Sequence, residues 1–352
     1  MAGSGGSAGT SGSGGAPVEA TLVVLASALS GQPFSGVYTE ATGWKGTSLP
    51  EPGILGKPAV VATGGGKAQA LVRVFSENAE QLWSSSWSGG SWGSFAKVGP
   101  GYGAQDGPSY SVSSQTSWAT YRRGGKHFAL TFKGGNFGTE EPLGTDNPQA
   151  FGNSHATVLV HGATAWGVYA GANQGLYVLF HNGSSWTASA PLFGAGTKNY
   201  ITPAMIHDDK NQLTVFFVRN TDSKICSIVR DGNGWTQPVV VLNDAITDSS
   251  PVAVQAPSGM YLVWRGFIGD DGVYFSFRPG GGSWQAPKVI DRGSGGVGGL
   301  AMTPGTKGAD AELVYVKNGQ LRHVRLTGGN ATSPTTVSGA VSVQDVGAAR
   351  VE

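Results

Sequence analysis

One unit recurs along this chain and constrains its fold more than any other feature. It consists of short runs of alternating apolar and polar residues, a glycine-rich turn, and a closing aromatic residue. It is clearest in 250–290, SPVAVQAPSGMYLVWRGFIGDDGVYFSFRPGGGSWQAPKVI. The runs 252–256, 260–267 and 272–278 alternate with period 2, as strands with one side chain to each face of a sheet must. Ser258-Gly259, Gly269 to Gly272 and Pro279 to Gly282 separate them, turn residues that admit positive φ. Trp284 closes the unit. With that aromatic as phase marker, the chain reads Trp44, Trp92, Phe137, Trp186, Trp235, Trp284 and a degenerate Ala331 after Gly328-Gly329-Asn330. The spacings are 48, 45, 49, 49, 49 and 47 residues.

A repeat of this length makes about four short strands and cannot bury both faces of its own sheet, so the repeats must stack on one another in a ring. The sequence therefore predicts an all-β chain whose residues 17–352 form a seven-bladed β-propeller with four-stranded blades. A second marker keeps the same phase. Pro58, Pro108, Pro203 and Pro251 each open a strand 14 to 17 residues after the preceding aromatic, as in KPAVV, TPAMI and SPVAV. Proline has no N–H to give to a ladder and suits the first residue of a strand. The chain ends complete the count. The first repeat has runs at 21–26 and 34–42 and the segment after Trp44, but no leading strand. The seventh has its own strands at 300–303, 312–317, 321–326 and 335–338, after which 341–346 is left over. Pairing 341–346 beside 21–26 would close the ring and remove two sheet edges.

Composition narrows the class of partner. The chain has 58 glycines, yet 39% of it is hydrophobic and ten residues are tryptophan, which fits many tight turns around a sizeable core. Lys and Arg number 23 against 22 Asp and Glu, for a net charge of +1 with no basic run. That balance argues against nucleic acid or an anionic membrane surface as partner. No apolar run approaches the roughly 20 residues of a membrane-spanning helix. With no signal peptide in view, the chain reads as cytoplasmic or already mature. Residues 1–16, MAGSGGSAGTSGSGGA, have no apolar stretch and read as a flexible linker outside the fold. Their composition is similar to the spacers that follow the lipid-bearing cysteine of bacterial surface lipoproteins, and equally to a vector-derived linker. The one cysteine, Cys226, excludes an intrachain disulfide and reads as a small buried hydrophobe in KICSIV.

The turns SGGSW, NGSSW, DGNGW and GGGSW resemble the Asp-box of sialidase-type propellers, Ser-x-Asp-x-Gly-x-Thr-Trp. Gly89 and Trp92, Gly183 and Trp186, Gly232 and Trp235, and Gly281 and Trp284 match it. The aspartate position holds Trp87, His181, Arg230 and Pro279 instead. In that family the box stabilises a turn away from the active site, so it reports fold, and the turn tryptophans read as core plugs between blades. The fifth repeat, 212–238, QLTVFFVRNTDSKICSIVRDGNGWTQP with Thr202-Pro203-Ala204 before it, resembles the repeat of the bacterial seven-bladed fucose-binding propeller lectins. The sixth follows through Ser250-Pro251-Val252 and Arg265-Gly266. The regular Ser-Leu-Gly-Gly segment of that family is absent. The resemblance implies a secreted or surface-tethered carbohydrate-binding protein with glycans as partners, no cofactor and no catalysis, and it does not carry over the identity of the sugar.

The chemistry of sugar recognition selects candidates independently. It needs an aromatic face for the C–H side of a ring and polar groups for its hydroxyls. Tyr121-Arg122, Val218-Arg219, Trp264-Arg265 and Val316-Lys317 share one phase, the end of the second strand, in four of seven repeats. Such residues can line one shared mouth or separate inter-blade pockets; solvation of strand ends is the plain alternative. Trp83, Trp87 and Trp118 lie outside the turn marker and join the set, whereas Trp166 reads as packed. The candidates for carbohydrate binding are thus Tyr121, Arg122, Arg219, Trp264, Arg265, Lys317, Trp83, Trp87 and Trp118.

A sialidase-like hydrolase is the competing class, and its kit is not legible. The Phe/Tyr-Arg-Ile-Pro stretch is missing; Tyr121-Arg122-Arg123 is followed by Gly124-Gly125. Glu140-Glu141, Asp208-Asp209 and Asp270-Asp271 are neighbours, and neighbours on a strand point to opposite faces, so they read as turn and surface acids. The six histidines, 127, 155, 161, 181, 207 and 323, show no ligand spacing and suggest no Ser-His-Asp arrangement. A propeller acting only as a protein-interaction scaffold is compatible with all of this.

Overall fold

Each period-2 run pairs with its neighbour in sequence. In the sixth repeat Val252–Ala256, Gly259–Arg265, Val273–Pro279 and Lys288–Asp291 form an antiparallel meander in chain order. The turn into its second strand needs glycine. Gly259 has φ +148°, and a Cβ there would lie 2.2 Å from the Arg278 carbonyl oxygen. The computed structural model describes residues 19–352 apart from 29–31, 51–52, 77–78, 99–106, 114–115, 125, 134–135, 144–153, 188–189, 194–195, 199, 233, 294 and 341, so the 1–16 linker lies outside the described residues.

The described residues form seven antiparallel sheets, one for each repeat, and no helix. The protein is an all-β, seven-bladed propeller with four-stranded blades. In blades 2, 5 and 7 the outermost strand is in two short pieces, both paired to the third strand. Closure occurs as expected, with one change of boundary. Val343–Val351 pairs antiparallel with Thr21–Ala28, from Thr21 opposite Val351 to Ala28 opposite Val343, and becomes the innermost strand of blade 1. The strand runs past 346 because Thr21–Ala28 offers it a partner along its whole length and Ala349 and Val351 are buried with it.

Buried side chains gather into seven clusters, each between two adjacent blades. Leu22, Val24 and Phe34 of blade 1 meet Val314, Val316 and Leu321 of blade 7, for example. Every phase marker packs against the cluster it shares with the preceding blade: Trp44 on 7/1, Trp92 on 1/2, Phe137 on 2/3, Trp186 on 3/4, Trp235 on 4/5, Trp284 on 5/6 and Ala331 on 6/7. These residues are half-buried lids at the outer edge of each interface, not the core plugs expected.

Innermost strands have one free edge, and it faces the axis. The prolines sit there, where a missing N–H leaves nothing unpaired; Pro108, Pro203 and Pro251 stand just before their strands as expected, whereas Pro58 lies within Ile54–Gly64, a strand that begins before it. Hydroxyls of neighbouring blades satisfy part of what remains. Ser109 Oγ accepts the Val158 N–H at 3.1 Å and Ser250 Oγ that of Thr202 at 3.0 Å, while the Thr157 hydroxyl donates to the Pro203 carbonyl at 2.6 Å. At a close approach of two innermost strands no side chain fits: a Cβ on Gly347 would lie 2.3 Å from the Pro58 carbonyl oxygen.

Candidate functional site

Among the described residues, two places on the ring stand out as able to receive a ligand. The first is axial. A shaft of about 320 Å³ is lined by the innermost strands of all seven blades, among them Pro58, Pro108, Val158, Pro203, Pro251, Met302 and Ala348. It opens at one end into a polar mouth of about 420 Å³. The second is a groove of about 620 Å³ between blades 1 and 2. Both lie on the face where second strands end and where one blade is linked to the next. Arg73, near the end of one such strand, lines the mouth, and Val74 to Ser76, which complete the strand, line the groove.

The expected rim residues divide sharply between these places and the core. Arg265 lines the mouth; its guanidinium donates to the Val297 carbonyl at 2.9 Å and to Asp248 at 2.8 Å, tying blade 6 to blade 7. Trp264, its neighbour, is only 1% exposed and stacks on Tyr274 inside the 5/6 interface. It presents no face to a sugar, because alternation sends it to the opposite side of the strand. Lys317 is buried as well, its ammonium bound to Asp291 at 3.0 Å and the Asp271 carbonyl at 3.3 Å; the Tyr315 hydroxyl takes the other Asp291 oxygen at 2.7 Å. These bonds lock blades 6 and 7 together.

Arg219 is part-exposed and grips Asp222 with both nitrogens, at 2.9 and 2.5 Å, closing the Arg-Asn-Thr-Asp turn. That bond holds the Asp222 carboxyl below the usual carboxylate range. Tyr121 is buried, donates its hydroxyl to Glu140 and stacks on Phe128. Arg123 also pairs with Glu140 at 2.5 Å. Arg122 is half-buried near His127, whose pKa falls to about 4 through burial and the Arg122 charge, against the Ser154 carbonyl bond. Trp87 and Trp118 are closed inside the 1/2 and 3/4 interfaces, so neither offers a face to solvent. Trp166 is packed, under Phe180 at 4.4 Å and edge-on to Trp235 at 5.9 Å.

Trp83 lines the groove. Strand pairing sets it between Val72 and Lys97, and it shares the cavity with Trp92, Phe95, Ser76, Ser94 and Phe75, the last 60% exposed. The Trp92 and Phe95 rings are 6.5 Å apart. The indole N–H groups of Trp83 and Trp92 are buried and have no hydrogen-bond partner among the described residues.

The mouth holds residues that sequence reading passed over: Lys57, Arg73, His155, Tyr200 and Asp345. Arg73 occupies the phase of the other rim arginines, but its strand continues to Ser76 and so hides the strand-end signal. Lys57 donates to the Leu300 carbonyl at 2.7 Å, and burial pushes its pKa down against the pull of Asp345. Burial pushes Asp345 up, opposed by Lys57 and Arg73. His155 is driven to about 3 by burial and nearby positive charge, and meets the Thr202 hydroxyl at 3.2 Å.

Of the adjacent acids, Glu140 is on a strand and takes Tyr121 and Arg123, Asp271 accepts the Gly295 N–H at 2.9 Å, and Asp208 and Asp270 serve turns. Asp208 accepts the Lys210 and Gln212 N–H groups at 3.0 and 2.8 Å, and Asp270 accepts the Gly272 N–H at 2.9 Å and the Tyr274 hydroxyl at 2.7 Å. Among the described residues no three His, Cys, Asp or Glu converge as a metal site.

Fold and cavities together define a seven-bladed propeller with an aromatic rim groove and a polar axial mouth. No protein-family model matches the chain, and no curated protein matches it in sequence. Among solved structures it is similar to AofleA from Arthrobotrys oligospora, with a TM-score of 0.56 and 14% identity, covering 85% of this chain and 90% of that one. It is similar to the lectin of Aleuria aurantia, described as a six-bladed β-propeller with a novel fucose recognition mode, with TM-score 0.51 and 12% identity over 78% of this chain and 92% of that one. A candidate 6-phosphogluconolactonase from Bacteroides uniformis gives a TM-score of 0.61 with 12% identity over 93% and 99%. At these identities the likeness concerns the fold, which hosts both binding proteins and enzymes.

Proposed function

We propose that this protein is a secreted or surface-tethered carbohydrate-binding protein without catalytic activity, and that its glycan is taken in the groove between blades 1 and 2. The observation that carries the reading is the grouping of Trp83, Trp92, Phe95 and the exposed Phe75 around one cavity with Ser76 and Ser94 at its edge. Aromatic faces beside hydroxyl groups are what a sugar ring, apolar on its C–H side and polar at its rim, requires. The lectins of similar fold support the class of ligand, and the composition of 1–16, that of a spacer, supports tethering.

A glycan array run beside a fluorogenic sialoside and glycoside panel tests this. Retention of glycans without turnover is expected; turnover would make the protein a hydrolase, and silence in both assays would leave a scaffold. Phe75→Ala should weaken retention about three- to tenfold, the size of a lost aromatic contact, with an unchanged melting temperature because Phe75 is 60% exposed. Trp83→Ala should weaken it at least as much.

A further inference from the structure

We infer that the mouth of the axial channel is a second binding site, taking a single neutral saccharide residue between Lys57 and Asp345 with its apolar face on Tyr200. The inference rests on the carbohydrate reading above but on a different part of the molecule.

Two lysines of the ring make the point by contrast. Lys317 is buried and neutralised by Asp291 at 3.0 Å. Lys57, at the neck where mouth and shaft meet, has one hydrogen bond among the described residues, to the Leu300 carbonyl, and no salt bridge among them. An ammonium has three donors, so two remain. Asp345, in the same mouth, feels the Lys57 charge but is not in ion-pair contact with it, and among the described residues its carboxylate is favoured only by that charge, by Arg73 and by the Val346 N–H. Partly desolvated charges held in one cavity and left unjoined are costly unless something polar joins them.

The ligand that joins them must donate and accept at once. Vicinal hydroxyls of a sugar do this: one accepts from the ammonium, another donates to the carboxylate. Among the described lining residues, charge balance favours a neutral ligand. Arg73 pairs with Glu80 at 3.7 Å and Arg265 with Asp248 at 2.8 Å, so the arginines at the mouth are already matched. An added anion would meet Asp345, and an added cation would meet Lys57. Tyr200, 54% exposed and lining the mouth, supplies the aromatic face that an amino acid or small polyol would not need. The Thr202 and Ser250 hydroxyls border the same neck, and the volume of about 420 Å³ is within the range of small-molecule sites.

Titration calorimetry with methyl glycosides of neutral hexoses and 6-deoxyhexoses tests this on the full chain and on Lys57→Met, Asp345→Asn, Tyr200→Ala and Trp83→Ala, with glucuronate and glucosamine as charged probes. Two sites per chain are expected. Lys57→Met and Asp345→Asn should each weaken one of them ten- to hundredfold, as loss of a charge-assisted bond does. Tyr200→Ala should weaken that same site several-fold with an unchanged melting temperature, and it keeps the test decisive if either charge variant fails to fold. Trp83→Ala should affect only the other site. One site, lost in Trp83→Ala and indifferent to the three mouth variants, would overturn the axial site and leave the groove standing. Loss in Tyr200→Ala with normal binding by Trp83→Ala would uphold the axial site and remove the groove. Tighter axial binding of glucuronate or glucosamine would overturn the neutral ligand, and no binding of any sugar at millimolar concentration would overturn both sites.

Discussion

Ser111 Oγ accepts the backbone N–H of Val160 at 3.0 Å, across the boundary of blades 3 and 4 and 49 residues along the chain. Ser109 and Val158 repeat the contact at the same separation. The spacing of the repeat is thus also a spacing of hydrogen bonds, by which one innermost strand satisfies the free edge of the next. Ser111→Ala should cost about 1 to 3 kcal/mol, the price of stranding a partly buried N–H. Urea unfolding checks it; an unchanged midpoint would mean that solvent in the channel replaces the hydroxyl.

The two tryptophans of blade 6 should behave oppositely to their sequence roles. Trp264 is fully enclosed, so Trp264→Ala should cost about 3 to 5 kcal/mol. Trp284 lies half-buried, edge-on to Phe216 at 5.9 Å with the Arg278 guanidinium 5.5 Å from its ring. Its replacement by alanine should cost about half as much or less, since less area leaves water. Melting temperatures of the two variants give the order directly.

Removal of 343–352 takes away the innermost strand of blade 1. Thr21–Ala28 then presents an unpaired edge, and Val346, Ala349 and Val351 no longer cover the interfaces on either side. The shortened chain should aggregate. Gel filtration showing a monomer with the parent's melting temperature would contradict the closure.

Stability should fall in mild acid. His127 is 1% exposed and its pKa is lowered to about 4, while the unfolded chain titrates near 6.5. Between those values the unfolded state binds the proton and the native state does not, so the stabilisation is full above about pH 6.5 and declines as pH falls towards 4. The loss is roughly 3 kcal/mol at its limit, and His155, lowered to about 3, acts in the same direction. Unfolding free energies at pH 7 and 4.5 measure it, and His127→Gln should flatten the slope.

Much of this ring was legible because its signals are local. The Gly-x-x-aromatic turn of most repeats and the proline at or near the start of four innermost strands recur at similar intervals, and each has a backbone reason to be where it is. The surplus apolar run at the C-terminus is legible for the same kind of reason, since a ring of meanders needs a strand from the far end to close. Alternation was a poorer guide to the site. In a blade both sheet faces are buried against neighbours, so period 2 separates one interface from the other and not inside from outside. Trp264 and Tyr121 went into the core for that reason, while Arg265, one residue from Trp264, reached the mouth.

The sequence by itself determined the number of blades, their strand order and the seam, all of which follow from turn chemistry and periodicity within about fifty residues of chain. Only the tertiary structure decided which side chains meet. Lys57, Tyr200 and Asp345 belong to three separate stretches with no shared motif, and Leu49 reaches Trp83 only across a blade boundary. They converge because closing the ring brings the starts of distant innermost strands and the links between blades to one axis and one rim, a condition set by the packing of all seven sheets and written in no single segment.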